Sequence, residues 1–176
     1  MVGFILGLGD RHLQNILIDE KTAEVIHIDF GVTFEMGKLL ATPEVTPFRL
    51  TREIVAPMGI SGINGVFKKS CDTTMTILRK HQDVINTILE VLLYDPLYQW
   101  KVVPQINEYN QNSHKLKEGA NFMAQRALLA VQNKLEGKQR GFFGSTSVAV
   151  QVERLINEAM NDRNLAMMFY GWDPYF

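Results

Sequence analysis

Hydrophobic positions recur along the chain with changing spacing, and each change marks an element. The opening MVGFILGLG is an unbroken apolar and glycine run, which predicts a buried helical turn leading straight into a loop at Asp10. Asn15 to Asp19 (NILID) and Val25 to Asp29 (VIHID) are short β-branched runs separated by the polar Glu20 to Glu24, a hairpin pattern. Asp10 and Asp29 then stand at its two open ends. From Phe30 to Arg52 no period is sustained, and Pro43 and Pro47 stiffen the stretch; a loop of this length inside a compact domain is usually functional.

Helical spacing returns over Thr51 to Val55, Ile63 to about Lys80, and Gln82 to Tyr94, where Val84, Ile85, Ile88, Leu89, Leu92 and Leu93 form an apolar face. Asp95-Pro96 stops the last of these. Lys101 to Gly119 is polar and asparagine-rich and reads as a linker; Ala120 to Leu135 reads as helix; Gln139 to Ser147 is a second break. Ser147 is placed to cap a helix whose buried stripe is Val148, Val152, Leu155, Ile156 and Ala159. Leu165, Met168, Phe169 and Trp172 extend that surface beyond Asn161. No internal repeat appears.

Composition narrows the class. Apolar residues make up 46% of 176 and charged residues 21%, which favours a packed core over disorder. Eighteen basic against nineteen acidic side chains leave a formal charge of -1, giving no overall footprint for nucleic acid or anionic lipid. The single cysteine, Cys71, excludes an internal disulfide framework and a cysteine-based zinc site; it reads as a small core residue. The apolar opening is too short for a membrane span and lacks a basic leader region. So abrupt a start reads as a fragment of a longer chain.

The chemistry gathers around the hairpin. Asp10 and Asn15 keep the D-x-x-x-x-N spacing by which kinases place a catalytic base and a magnesium ligand on one loop, and Asp29-Phe30-Gly31 spells the triplet whose aspartate holds metal. Phosphoryl transfer needs hard oxygen ligands for magnesium and a carboxylate to orient the acceptor hydroxyl. Asn15, Asp29 and Asp10 supply them. His12 adds a donor or cation where charge develops on the transferring phosphoryl. Taken singly, an aspartate after Gly-Leu-Gly is more often a turn residue than a base; the three in order shift the balance. Arg11 and His27 read as structural, and Met160, Met167 and Met168 as packing.

The whole string, "GDRHxxNI" followed by "HIDFG", resembles the phosphatidylinositol 3-kinase superfamily, in which the histidine follows the Asp-Arg pair. The loop after Gly31 offers only Lys38, Arg49 and Arg52, few cations for an anionic lipid head group. "TPEVTPFRLTREIV" and "VLLYDPLYQW" resemble the related protein kinases, "GVTFEMGKLLATPE" and "MGISGINGVF" the ATM (ataxia-telangiectasia mutated) checkpoint-kinase branch, and "QVERLINEAMNDRNLAMMFYGWDPYF" the FATC segment of those chains.

The resemblance implies a mainly α fold with a small β-hairpin at the active site: part of a kinase C-lobe over 1–103, a linker or regulatory segment over 104–144 and a helical FATC domain over 145–176. It implies a serine/threonine protein kinase using ATP with Mg2+, or Mn2+ in its place, and preferring Ser or Thr followed by Gln. Asp10 and His12 would be catalytic, Asn15 and Asp29 would bind metal and nucleotide, and Asp29, Phe30, Gly31, Pro47, Phe48, Arg49 and Arg52 would belong to the activation loop. Also implied are a nuclear DNA-damage checkpoint role, protein substrates, DNA-damage sensor complexes, and an upstream N-lobe with helical repeats, with no direct nucleic-acid or membrane binding by this segment. A lipid kinase and a catalytically inactive scaffold are the alternatives. The aromatic tail, Trp172, Tyr175 and Phe176, is expected to dock on the kinase body.

Overall fold

Helix α1 (Val2–Leu6) stops at Gly7, whose left-handed φ of 60° lets its amide bond back to the Gly3 and Phe4 carbonyls and which lies so close to the Glu35 backbone that a Cβ would collide. The following chain forms the expected hairpin: β1 (Ile16–Ile18) pairs antiparallel with β2 (Val25–His27), Leu17 opposite Ile26. The Asp19 carboxylate accepts the amides of Lys21 and Thr22 and shapes the turn. In this computed structural model residues 1–22, 24–93, 114–138 and 144–174 are described.

Helices α2 (Arg52–Val55), α3 (Val66–Lys80), α4 (Gln82–Leu93), α5 (His114–Leu135), α6 (Val148–Ala159) and α7 (Asp162–Ala166) follow. Two boundaries differ from the sequence pattern. Helix α3 starts at Val66, not Ile63, because Gly62 and Gly65 hold the chain in a short 3-10 turn and a non-helical bend. Helix α5 starts at His114, inside the stretch expected to be linker: in HKLKEG only the glycine is a poor helix former. The expected stop at Tyr94 to Pro96, the linker from Lys101 to Ser113, the break at 139–143, and Tyr175 and Phe176 lie outside the described residues. Among those described, no helix is long and apolar enough to cross a membrane.

One core gathers α1, α3, α4, α5 and α6: Phe4, Ile5, Cys71, Met75, Leu89, Val131, Leu135, Val152, Leu155, Ile156 and Ala159. Burial pushes the Cys71 thiol up, in keeping with an inert core residue. Val131 and Leu135, from the helix expected over Ala120 to Leu135, are as much core as Phe4. Ser147 caps α6 by accepting the Val150 amide, and Asn161 caps α7 by accepting two. Gln151 is the polar exception on the α6 stripe, only 1% exposed. Its amide takes a bond from Arg79 Nη2 at 2.6 Å and gives one to the Lys134 carbonyl at 2.9 Å, tying α3, α5 and α6 together. Arg79 Nη1 adds a bond to the Thr146 carbonyl.

Candidate active site

Two sharp turns present the aspartates, one before β1 and one after β2. Asp10 has φ 54° and Asp29 φ 56°, a region that non-glycine residues enter at some cost and that recurs where function fixes the backbone. What fixes it here is Arg11, 4% exposed. Its Nε donates to the Gly9 carbonyl at 2.6 Å, Nη1 to the carbonyls of Asn15 (3.3 Å) and Ile28 (2.7 Å), and Nη2 to the carbonyl of Asp29. One guanidinium therefore spans both open ends of the hairpin, a role its planar fork suits and a lysine could not fill. Backbone pairing closes the same gap, the Ile28 amide donating to the Asn15 carbonyl at 3.1 Å.

Asn15 is buried beside Asp10. Its Nδ2 donates to the Asp10 carbonyl at 2.9 Å and to Asp10 Oδ2 at 3.4 Å, so both bonds leave from the nitrogen and the hard oxygen Oδ1 takes part in neither. His12 Nε2 lies 3.8 Å from Asp10 Oδ2, beyond a hydrogen bond. Asp29 is exposed, with one oxygen accepting the Gly31 amide at 2.9 Å. Among the described residues no three His, Cys, Asp or Glu side chains could hold a metal by themselves. A carboxylate from Asp29 and an amide oxygen from Asn15 are nonetheless the kind of donor set that Mg2+ takes from protein when substrate phosphates and water complete the shell, so these residues fit the ion.

The sequence did not single out Glu44. Its Oε1 accepts the Asp10 amide at 2.7 Å across 34 residues, and its carboxylate fills space that a Cβ on Gly9 or Gly37 would need. Burial pushes this carboxyl up, the Asp10 amide and the Arg11 charge opposing. The only hint in the sequence was the pair of glycines, Gly9 and Gly37, facing one acid. The loop after Asp29 is further stitched to the chain around the Asp10 turn through the amides of Gly9 on the Val32 carbonyl, Phe34 on that of Leu6 and Glu35 on that of Gly7. Glu35 binds Lys134 of α5 and Lys38. Burial works against its charge, and the two ammoniums outweigh it to hold the carboxyl below the ordinary range. A cavity of about 830 Å³ lies behind this loop, lined by Gly9, Glu44, Arg126 and Arg154 but not by Asp10, Asn15 or Asp29.

Of the remaining expected loop residues, Phe30 is 62% exposed, Pro47 and Phe48 are half-buried, Arg52 is exposed in an ion pair with Asp162, and Arg49 is buried. Trp172 docks as expected at 4% exposure, in a cluster with Leu165 and Met168. Phe169, expected to extend the same surface, is 63% exposed, and Met167, expected to pack, is 46% exposed. His27 is exposed on β2 rather than enclosed.

Residues 1–102 match the family model described as phosphatidylinositol 3- and 4-kinase, and residues 145–176 match that of the FATC domain. The chain is 60% identical to the serine/threonine-protein kinase ATM of Drosophila melanogaster over 99% of its length, and 45% identical to the serine-protein kinase ATM of Sus scrofa. It spans only 6% of either relative. A solved structure of the FAT and kinase domain of CtTel1 superposes with a TM-score of 0.80 at 43% identity, covering 99% of this chain and 11% of that one. The hairpin, the helices around it and the tail thus have the fold of a kinase domain with its FATC segment, and the chain belongs to the phosphatidylinositol 3- and 4-kinase family.

Proposed function

We propose that this chain is the catalytic C-lobe portion and FATC segment of an ATM-like serine/threonine protein kinase. The observation that carries the reading is the gathering of Asp10, Asn15 and Asp29 at the open end of one hairpin by a single buried arginine. Residues 1–103 form the kinase part, 104–144 a connecting segment that includes α5, and 145–176 the FATC domain.

Asp10 Oδ1 accepts the proton of a serine or threonine hydroxyl and aims its oxygen, while Asn15 Nδ2 steadies Oδ2. Asn15 Oδ1 and Asp29 would hold Mg2+, or Mn2+ in its place, on bound ATP; when present, the ion neutralises charge on the phosphates. His12 stands at the acceptor side as a donor to the transferring group. The activation loop from Asp29 to Arg52 reads the acceptor, and a glutamine after the Ser or Thr is recognised by paired polar groups that its replacement would leave unpaired. Both relatives are named as protein kinases, which supports the protein-kinase reading. A nuclear role in the DNA-damage checkpoint, sensor complexes and an upstream N-lobe follow for the whole protein.

The test is metal titration of the full-length kinase. Asp29→Ala should weaken Mg2+-dependent nucleotide binding and abolish transfer to a Ser-Gln peptide, with no transfer to phosphoinositide vesicles by either form. Unchanged metal dependence would place the ion elsewhere, and transfer to the vesicles would make the enzyme a lipid kinase.

A further inference from the structure

Arg49 lies in the activation loop, far in sequence from the FATC tail, yet the structure runs a polar chain through it from tail to catalytic turns. The residue is 7% exposed. Its Nη1 donates to the carbonyl of Trp172 and, at 3.4 Å, to the carbonyl of Arg11; its Nη2 donates to the carbonyl of Asp173 at 2.8 Å. Its guanidinium also stacks 4.6 Å from the centre of the Trp172 ring. Arg11, in turn, holds the carbonyls on both sides of the hairpin and that of Asp29.

We propose that Arg49 is a positioning residue for phosphoryl transfer, through which the docked tail sets the geometry of the Asp10 and Asp29 turns. It touches neither substrate nor metal, and acts through the Arg11 backbone. Three carbonyls and an aromatic face converge on one planar cation, and burial lowers its pKa only against the charges of Asp173 and Glu53. Such a group is costly to bury unless every bond is made. When the tail leaves, Arg49 loses two of these carbonyls and its ring together and must find water or another partner, and the Arg11 carbonyl loses its fixed donor. The two aspartate turns, held at positive φ, are where the backbone has strain to release. Their displacement by a fraction of an ångström suffices to slow a reaction that depends on placement. The neighbouring contacts place the tail on the same loop, with Thr46 Oγ1 at 3.6 Å from Met168 Sδ and Arg52 Nη2 at 3.2 Å from Asp162.

The inference rests on the kinase reading, and a double-mutant cycle in the full-length enzyme separates the two. Arg49→Ala and a truncation removing residues 172–176 should each lower kcat by about 10²-fold, typical of a small misplacement, while nucleotide affinity stays within twofold. Combined, they should lose no more than the larger single effect, because both cut the same link. Arg49→Lys keeps charge and bulk but cannot serve three carbonyls at once; it should fold and still lose most of kcat. Hydrogen exchange at the Asn15 and Ile28 amides should quicken in all three variants, independently of activity. Multiplicative losses, an active Arg49→Ala, or unchanged exchange at the hairpin would overturn the relay. A wild-type enzyme that transfers no phosphate, with the exchange results intact, would instead remove the kinase reading.

Discussion

The hairpin and the FATC helix are held by opposite means. Along β1 and β2 the apolar side chains are largely bare: Ile18 is 66% exposed, Val25 60% and Ile26 47%. The turns around them are fixed by the Arg11 fan, the Asn15 amide and the Glu44 carboxylate. In α6, by contrast, Val152, Leu155, Ile156 and Ala159 are at most 2% exposed, and the Ser147 cap and the Gln151 bonds only supplement that packing. Apolar burial is non-directional and supplies stability; a hydrogen-bond fan fixes direction and supplies placement. The proposed chemistry sits where placement matters, beside the helical core that α6 helps to close.

The comparison breaks most readily at Leu155. Leu155→Ala should cost about 2–5 kcal/mol, as for other buried leucines, seen as lost hydrogen-exchange protection in α6 of the full-length protein. A cost near zero would mean that the stripe packs loosely.

Glu35→Gln comes next, at about 1–3 kcal/mol once partial exposure is discounted, because it removes the negative charge opposite Lys134 at 12% side-chain exposure and leaves that ammonium the Phe4 carbonyl and ring as its partners besides the amide. The sign with pH is fixed by the direction of the shift. A carboxyl held below its ordinary value contributes stability that is present above about pH 4.3, the unfolded glutamate value, and lost as pH falls through the folded one. Protection in α5 should show that acid-side step in wild type and lack it in Glu35→Gln. The same step in both would assign it to another group.

Glu44→Ala leaves the Asp10 amide without its acceptor, a loss of about 1–3 kcal/mol, and should lower kcat. Glu44→Gln keeps an acceptor oxygen and should recover most of it. Equal losses from both would show that the charge matters rather than the bond. Smallest of all, Val25→Ala should change hairpin protection by no more than about 0.5 kcal/mol, as for exposed positions generally. A larger cost would reveal that another part of the protein covers the strands.

The contrast explains what could be read from the chain. Periodicity is a property of packed faces, so the α6 stripe was legible in it; its Ser147 cap was legible from residue type, and the strand pairing from two β-branched runs around a polar turn. Asp10, Asn15 and Asp29 stood out because one short stretch of chain carries all three around a hairpin pattern, and the structure forms that hairpin. The contacts of Glu44, Arg11 and Arg49 were not legible, because their partners are carbonyls and amides that any residue can offer, 17 positions away for the Arg11 bond to Ile28, 34 for Glu44 and 124 for the Arg49 bond to Asp173. The start of α5 at His114 was missed because polarity was read as linker, although Lys, Leu and Glu favour helix. Phe169 was assigned to the buried surface by its composition, and the turn at Tyr170–Trp172 points it out instead.

The most direct measurement is turnover of the full-length enzyme carrying Asp10→Ala, on a Ser-Gln peptide, alongside nucleotide affinity. The account predicts a fall in kcat of about 10²-fold or more, from a lost general base, with ATP binding unchanged. Normal turnover in that variant would contradict it.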